Sequence, residues 1–446
     1  MSAAPITSAV ADYCAGALAS PLPPHAAERA RLHLLDTLAA MISGSRLPAG
    51  VAALRYAAGL PQAGEACIPG TGLRLSTADA ALVNGMTAHA DETDDTHAAS
   101  LTHPGSVVVP AALAMAERVG ASGEALLRSV ALGYDLCARS SMALGGYEFF
   151  AKGFDTHAFG GVFGAAAAAG GLAGLDGRRF RFLFSYAAQQ CAGLATWRRD
   201  PDHIEKAFDF AGMPARNGVA AAMMVSSGMT GVADIFDGAP SFFSAFNDRS
   251  RPDLLIDGLG ERFEVAQTSI KKWCVATPAQ ASLDGLAHLM REHALTEADI
   301  AGVTTWIGTA GARVVTGEMP NVNAAHLLAL LIVDGSLGFA SSHDAARMRD
   351  PAVLAVRKRI AVEPSDTIGI ARDALVKVTT HDGRVLEHHA RHVRGTPANP
   401  MDATEITQKA ADLIEPILGR QRADDLIDMV MTIEKVSNVA NLTSLL

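Results

Sequence analysis

The densest concentration of chemically useful side chains lies in one short stretch of the chain. Within fifteen residues it holds four carboxylates and three histidines: Asp91, Glu92, Asp94, Asp95, His89, His97 and His103. A histidine among carboxylates can titrate near neutral pH and shuttle protons, so the stretch suits acid–base catalysis. The same residue types also bind zinc or iron, although no HExxH or HxH spacing supports a metal site. A solvated acidic loop that caps a helix is the third interpretation.

Two further segments carry cations that could bind an anion. Lys206 precedes a glycine-containing stretch with Arg216, and backbone N–H groups at a following helix start would add to an anion site. Surface exposure is the equally plain interpretation of these side chains. Farther along, Lys271 and Lys272 precede Gln280, a pattern that by itself is weak because most lysines are solvated.

The elements that must position these residues change character along the chain. Hydrophobic residues make up 49% of the 446 residues and aromatic residues only 5%, which predicts a globular protein of closely packed helices. Residues 1 to about 260 have helical periodicity, and Pro110 suits the first turn of a helix. Residues 262–270 and 302–309 have strand character, and Asp382-Gly383 predicts a hairpin turn within 374–393.

Helical character returns at residues 403–418, so the first region is expected to be discontinuous. We therefore predict a mainly α protein with a large helical domain, residues 1–261 and 396–446, and a smaller α+β domain, residues 262–395.

Composition excludes several classes of function. The net charge is −10 and no long basic run occurs, which argues against nucleic-acid binding. The five cysteines show no zinc or iron–sulfur spacing. The apolar runs are too short and too interrupted by glycine for a membrane span, and the N-terminal segment does not resemble a signal peptide. A cytoplasmic location is the expectation.

The order of the three segments resembles the MmgE/PrpD family over nearly the whole chain. The family pattern Asn-Gly-x-x-x-His-x-x-Asp-x-Asp-Asp-Thr, followed by His-Pro, is similar to the stretch from Asn84 to Thr96 with His103-Pro104. The family includes 2-methylcitrate dehydratases, cis-aconitate decarboxylases and iminodisuccinate epimerases. The resemblance implies a large helical domain, a smaller α+β lid domain, a homodimer and a reaction that needs no metal or other cofactor.

Residue by residue, the resemblance carries active-site positions over to His103, Thr96 and Lys206. The chain departs from the family pattern at several other positions. Glu92 replaces the usual Asp, Gln280 a common His, and His326 a common Tyr. His157 and Asp155 alter a Gly-Phe-His-Pro-Thr stretch. These departures imply a conserved scaffold with an altered substrate-facing set.

The expected reaction begins with removal of a proton beside a carboxylate of a small polycarboxylate. His103 is the expected acid–base group, and Glu92 or Asp94 would orient it or protonate a leaving group. The remaining expected site residues hold or orient the substrate: Lys206, Lys271, Lys272, Arg216, Thr96, Gln280, His326 and His157. Elimination of water, as in 2-methylcitrate dehydratase, is the first expectation.

Three other outcomes stay open. The first is epimerisation, isomerisation or decarboxylation of a related dicarboxylate after the same proton removal. The second is a metal-dependent hydrolase that recruits His89, His97 and His103. The third is a protein that binds a small acid without turning it over.

Overall fold

The computed structural model describes residues 5–368 and 372–446. The chain forms two compact units, Met1–Ser269 with Ala403–Leu446, and Ile270–Asp402. The expected boundaries lay at 261/262 and 395/396. Residues 262–269 belong to the first unit because the Glu264 N–H donates to Asp135 Oδ1 over 2.7 Å. The strand expected over 262–270 is wrong, since Glu264–Gln267 is a 3₁₀ turn.

The fold is mainly α with a smaller α+β region, as the sequence predicted. The helices of the described chain are α1 (Ile6–Ala17), α2 (Pro24–Gly44), α3 (Pro48–Ala58), α4 (Thr77–Ala88), α5 (Pro104–Val119), α6 (Gly123–Ala143), α7 (Tyr147–Ala151), α8 (Thr156–Leu172), α9 (Gly177–Gln189), α10 (Ile204–Ala207), α11 (Met213–Ser226), α12 (Phe242–Phe246), α13 (Gln280–Glu292), α14 (Thr309–Val314), α15 (Ala324–Asp334), α16 (Phe339–His343), α17 (Pro351–Arg357), α18 (Ala403–Leu418), α19 (Arg420–Met431) and α20 (Ala440–Thr443). The strands are β1 (Ala66–Cys67), β2 (Arg74–Leu75), β3 (Ile300–Gly308), β4 (Ile360–Ser365), β5 (Ala374–Thr380) and β6 (Val385–Ala390).

Helix α8 lies at the centre of the first unit, packed against α5, α6 and α11. Its sequence is mostly Ala and Gly, and nearly all of it is buried. A Cβ at Gly164 would lie 2.7 Å from the Gly133 carbonyl oxygen of α6, so these two helices pack backbone to backbone. Small side chains therefore bring the helix ends that carry polar residues close together.

Helix α5 begins directly after His103, with Pro104 in its first turn. The expectation that Pro110 marks a helix start is wrong, because Pro110 lies inside α5. Proline at the first turn lacks only an N–H that would be unpaired there anyway, whereas Pro110 deprives the Ser106 carbonyl of its helical donor.

The C-terminal segment packs back on the first unit through a buried ion pair. Helix α18 covers residues 403–418, as predicted, and lies against α2. Lys409 Nζ lies 2.7 Å from Asp36 Oδ1 and donates to the Thr93 carbonyl over 3.2 Å. This ammonium ties the tail both to α2 and to the polar loop after α4.

The second unit is built on a four-stranded sheet in the order β4-β3-β5-β6. Strand β3 runs parallel to β4 and antiparallel to β5, and β5 pairs with β6 in the predicted hairpin. Helix α13 packs on the sheet, since a Cβ at Gly285 would lie 2.7 Å from Val376 Cγ2. Helix α15 packs against α17 and contributes much of the apolar core.

Within the described chain, no single helix is both long and apolar enough to cross a membrane. The bent pair α2 and α3 passes that test of length and composition together.

His326 is an uncompensated polar group in the core of the second unit. It lies in α15, is 0% exposed, and neither ring nitrogen has a hydrogen-bond partner among the described residues. Burial, with the charges of Arg357 and Arg347, lowers the pKa of His326 to about 4 from 6.5. At mildly acidic pH, His326 therefore binds a proton in the unfolded chain but not in the folded chain.

We expect His326→Leu to stabilise the protein most at low pH. The native free energy of unfolding should fall as the pH drops from 6.5 towards 4, with up to about 3 kcal/mol of that fall due to His326. Thermal unfolding of both proteins at several pH values measures the difference. The exposed His293→Gln is the control, and an unchanged pH dependence in His326→Leu would contradict the prediction.

Candidate active site

A buried carboxylate between two imidazoles forms the centre of the polar cluster in the first unit. Asp94 Oδ2 lies 2.8 Å from His89 Nδ1, and Asp94 Oδ1 lies 3.1 Å from His103 Nδ1. Burial by itself would raise the pKa of Asp94, but the charges and hydrogen bonds of His103 and His89 hold it well below its usual value. Asp94 is therefore an ionised acceptor that orients both rings.

The neighbouring Asp95 faces the opposite way and fixes the loop to the scaffold. Its Oδ2 accepts from Tyr134 over 2.5 Å and lies 2.7 Å from His33 Nδ1. Its Oδ1 accepts the Gly105 N–H over 2.9 Å. A Cβ at Gly105 would lie 2.5 Å from Thr37 Oγ1, so only glycine allows this close approach.

A second histidine lies beside His103. The ring centroids of His157 and His103 are 5.2 Å apart, and His157 stacks on Phe210 at 3.6 Å. His157 Nδ1 lies 2.6 Å from Asp155 Oδ1, the residue that caps α8. Burial lowers the pKa of His157, with the Asp155 charge opposing it. The buried Phe210 also stacks on His89 at 4.7 Å and so forms an apolar floor for the cluster.

Lys206 supplies the positive charge of the cluster. Its ammonium makes a short contact with Glu92 Oε1 and lies 5.0 Å from the Phe210 ring centroid and 5.3 Å from that of Trp197. Glu92, Asp94, His103, His157 and Lys206, all predicted from the sequence, thus meet in the first unit.

His203 joins the cluster although the sequence reasoning missed it. Its ring centroid is 5.1 Å from that of His89, and its Nδ1 lies 3.9 Å from Glu92 Oε1. Burial and the charge of Lys206 lower the pKa of His203 to about 3. Its backbone is left-handed, with φ of 61°, a conformation that non-glycine residues mostly adopt at constrained sites. Its position three residues before Lys206 was the available signal.

Two more missed residues, Asp209 and Phe210, lie in a single π-helical turn, Phe208–Gly212. Such a turn inserts an extra residue per hydrogen bond and is common at functional sites. The sequence pattern of this segment does not predict the π-helical turn.

Two other predicted residues, Thr96 and Arg216, also belong to the first unit. Thr96 is buried and pairs with Ser269, with backbone N–O distances of 3.0 and 2.9 Å. Arg216 in α11 contacts its neighbour Asn217, and no contact with the cluster is found among the described residues.

The remaining predicted residues belong to the second unit. Lys271 is buried there, and Lys272 lies over the Trp273 ring at 4.5 Å and 3.8 Å from Asp284. The Gln280 side-chain amide donates to the carbonyls of Trp273 and Val275, and its expected role in orienting a substrate stays a prediction. His326 is wholly buried, as described above, and does not line a surface.

The cluster also contains a donor set for a metal ion. One ligand atom from each of His89, Asp94 and His103 lies within 4.8 Å of the others. Two imidazoles and a carboxylate can bind zinc or iron. The metal interpretation named His97, but this residue lies 2.7 Å from Ser100 Oγ and 3.3 Å from Glu264 Oε2, which places it in a different set of contacts.

We expect Asp94→Asn and Asp95→Asn to fail in different ways. Asp94→Asn should fold but lose about 100-fold or more in rate, because His103 loses its charged partner. Removing this negative charge should also move the acid side of the pH–rate profile down by about one pH unit.

Asp95→Asn should instead lower the free energy of unfolding by about 2–3 kcal/mol, since a buried charged acceptor of several hydrogen bonds is lost. Thermal unfolding and pH–rate profiles of both variants separate the two effects. Equal destabilisation with no difference in the pH profile would contradict these roles.

Comparison with known proteins shows similarity over nearly the whole chain. The profile of the MmgE/PrpD N-terminal domain matches residues 8–255, and that of the MmgE/PrpD C-terminal domain matches residues 273–435. The cis-aconitate decarboxylase-like protein oryM of Aspergillus oryzae is 24% identical over 99% of this chain and 97% of its own length. Cis-aconitate decarboxylases of Aspergillus terreus and Homo sapiens are 21% and 24% identical, over 99% of this chain and 96% and 94% of theirs. The chain belongs to the MmgE/PrpD family.

Proposed function

We propose that this protein is a cofactor-free lyase that removes a proton beside a carboxylate of a small polycarboxylate and then eliminates water. The observation that carries the proposal is the His103 imidazole held by the ionised Asp94 in a buried cluster. The family membership and the enzymes among its relatives support a lyase of this general type.

His103 acts as the base in this proposal. With Nδ1 directed at Asp94, the other ring nitrogen, Nε2, accepts the substrate proton. The Asp94 carboxylate then stabilises the imidazolium that forms, which is how a buried acid assists a histidine base. The surrounding rings of Phe210 and His157 keep water away and strengthen this electrostatic interaction.

Lys206 stabilises the negative charge that develops on the substrate. Proton removal beside a carboxylate produces an enolate-like species, and a fixed ammonium group is most useful where such charge appears. Glu92 holds the Lys206 ammonium over the Phe210 and Trp197 rings. A β-hydroxyl leaving group would take its proton from an acid of the same cluster.

Decarboxylation is the second candidate, because relatives named above are cis-aconitate decarboxylases. In that reaction a C–C bond breaks, carbon dioxide leaves with loss of the carboxylate, and the carbanion takes up a proton that comes from solvent through the protonated His103. Epimerisation would need reprotonation on the opposite face. The homodimer expected from the sequence stays a prediction.

Hydrogen exchange tests the shared first step. The protein is incubated in D₂O with a panel of small di- and tricarboxylates, and each compound is followed by NMR. We expect deuterium to enter one C–H of a substrate, or an alkene to form from it. His103→Gln should lower that rate at least about 100-fold, because an amide cannot take up the substrate proton. The exposed His25→Gln is the matched control and should retain the native rate.

The product spectrum and gas release distinguish water loss from carbon dioxide loss. Exchange that persists in His103→Gln would exclude His103 as the base. A complete lack of exchange and product in the native protein would overturn the polycarboxylate proposal.

Metal analysis tests the competing hydrolase. We expect exchange to continue undiminished after dialysis against a strong chelator. Stoichiometric zinc or iron in the purified protein, with activity lost on chelation and restored by the metal, would assign His89, Asp94 and His103 as ligands and contradict the proposal.

A further inference from the structure

Two buried carboxyl groups face each other next to His157. Asp155 caps the start of α8 and is 0% exposed, and Asp209 in the π-helical turn is 7% exposed. The Oδ2 atoms of both residues are buried, and neither has a hydrogen-bond donor from another side chain or the backbone among the described residues. The two carboxyl groups lie close enough for each to affect the ionisation of the other.

The other oxygen of Asp155 has an ordinary donor. Asp155 Oδ1 accepts the backbone N–H of His157 over 2.9 Å and faces its ring Nδ1 at 2.6 Å. The backbone N–H of Leu194 favours the ionised form of Asp209. Gly193 lies against both groups, since a Cβ there would come 3.1 Å from Asp209 Oδ1 and 3.3 Å from Asp155 Cβ. This tight packing holds the two carboxyl groups side by side.

Two adjacent carboxylates in a buried site cannot both be ionised without a cation between them. Burial, together with Asp155, raises the pKa of Asp209 to about 10. Burial opposes ionisation of Asp155 as well, but the neighbouring His157 and Asp209 lower its pKa to about 2. The charge of Glu205 also raises the pKa of Asp209, and the charge of Lys206 lowers the pKa of His157. The proton of the pair therefore belongs to Asp209.

We propose that Asp209 donates an Oδ2–H hydrogen bond to Asp155 and thereby holds His157 in the tautomer protonated at Nδ1, which leaves Nε2 as a second acid–base nitrogen beside His103. This inference rests on the proposed function, because it assigns His157 to the same proton-transfer site. Asp155 and Asp209 are positioning residues: Asp155 sets the ring orientation and tautomer of His157, and Asp209 sets the charge and orientation of Asp155.

The arrangement gives the cluster two histidines with separate carboxylate supports. His103 is held by Asp94, and His157 by Asp155, with ring centroids 5.2 Å apart. A substrate that fits against both rings would face two ring nitrogens that can each take a proton, and the ring that has taken one can later return it. Phe210 covers His157 on one side and so limits its ring to one orientation.

Infrared spectroscopy tests the shared proton without any substrate. At about pH 8, the native protein should show the carbonyl stretch of a protonated carboxylic acid, and Asp209→Asn should lose it. The exposed Asp248→Asn should leave the band unchanged. If Asp209→Asn removes no protonated-acid band, the proposal is overturned, whatever the activity of the protein.

Nitrogen NMR of the histidine-labelled full chain tests the tautomer. The His157 signals, identified by their loss in His157→Gln, should show Nδ1 protonated and Nε2 unprotonated in the native protein. Asp209→Asn should preserve this pattern, because its amide can still donate to Asp155, whereas Asp209→Leu should not. A His157 ring protonated at Nε2 in the native protein would contradict the proposal.

Rates complete the test once a substrate is found. Asp209→Asn should stay within about threefold of the native rate, and Asp209→Leu should fall about 10–100-fold with an altered pH profile. Loss of the tautomer with unchanged rates in Asp209→Leu would exclude His157 from the chemistry. The native protein could show the acid band and the tautomer but exchange no substrate proton. That result would contradict the proposed function and leave the carboxyl pair established.

Discussion

The candidate active site depends on keeping the buried carboxylate of Asp94 ionised. Asp94 remains charged because an imidazole faces each of its two oxygens, at 2.8 and 3.1 Å. A buried charge without such partners would take up a proton instead. The geometry of His89 and His103, and with it any proton transfer at His103, therefore follows from this single interaction.

The scaffold holds that carboxylate in place through its neighbour. Asp94 and Asp95 are consecutive in an irregular segment, so their side chains can point in opposite directions. Asp95 contacts Tyr134, His33 and the Gly105 N–H, and these contacts hold the segment in place. Asp94 thus contacts the two histidines, while Asp95 attaches the segment to the helices around it.

The sequence predicted a large part of the site because the motif is local. Glu92, Asp94 and His103 lie within twelve residues, so any compact arrangement of that segment keeps them near each other. Lys206 was recognised by its place in the family pattern. His203, Asp209 and Phe210 were missed because an imidazole, a carboxyl group and a phenyl ring at those spacings fit many ordinary helices. Only the π-helical turn and the left-handed His203 direct them into the cluster.

The sequence by itself determined the fold class and the hairpin of the second unit, since these depend on periodicity and turn chemistry. It also predicts, from a short motif, that His103 is the principal acid–base group. Tertiary structure alone decided which charges are paired, which proton is shared and which polar groups are buried. Gln280 and His326 illustrate the difference, because one satisfies nearby carbonyls and the other lies in an apolar core. Pairing and burial depend on residues far apart in the chain, and no local pattern records them.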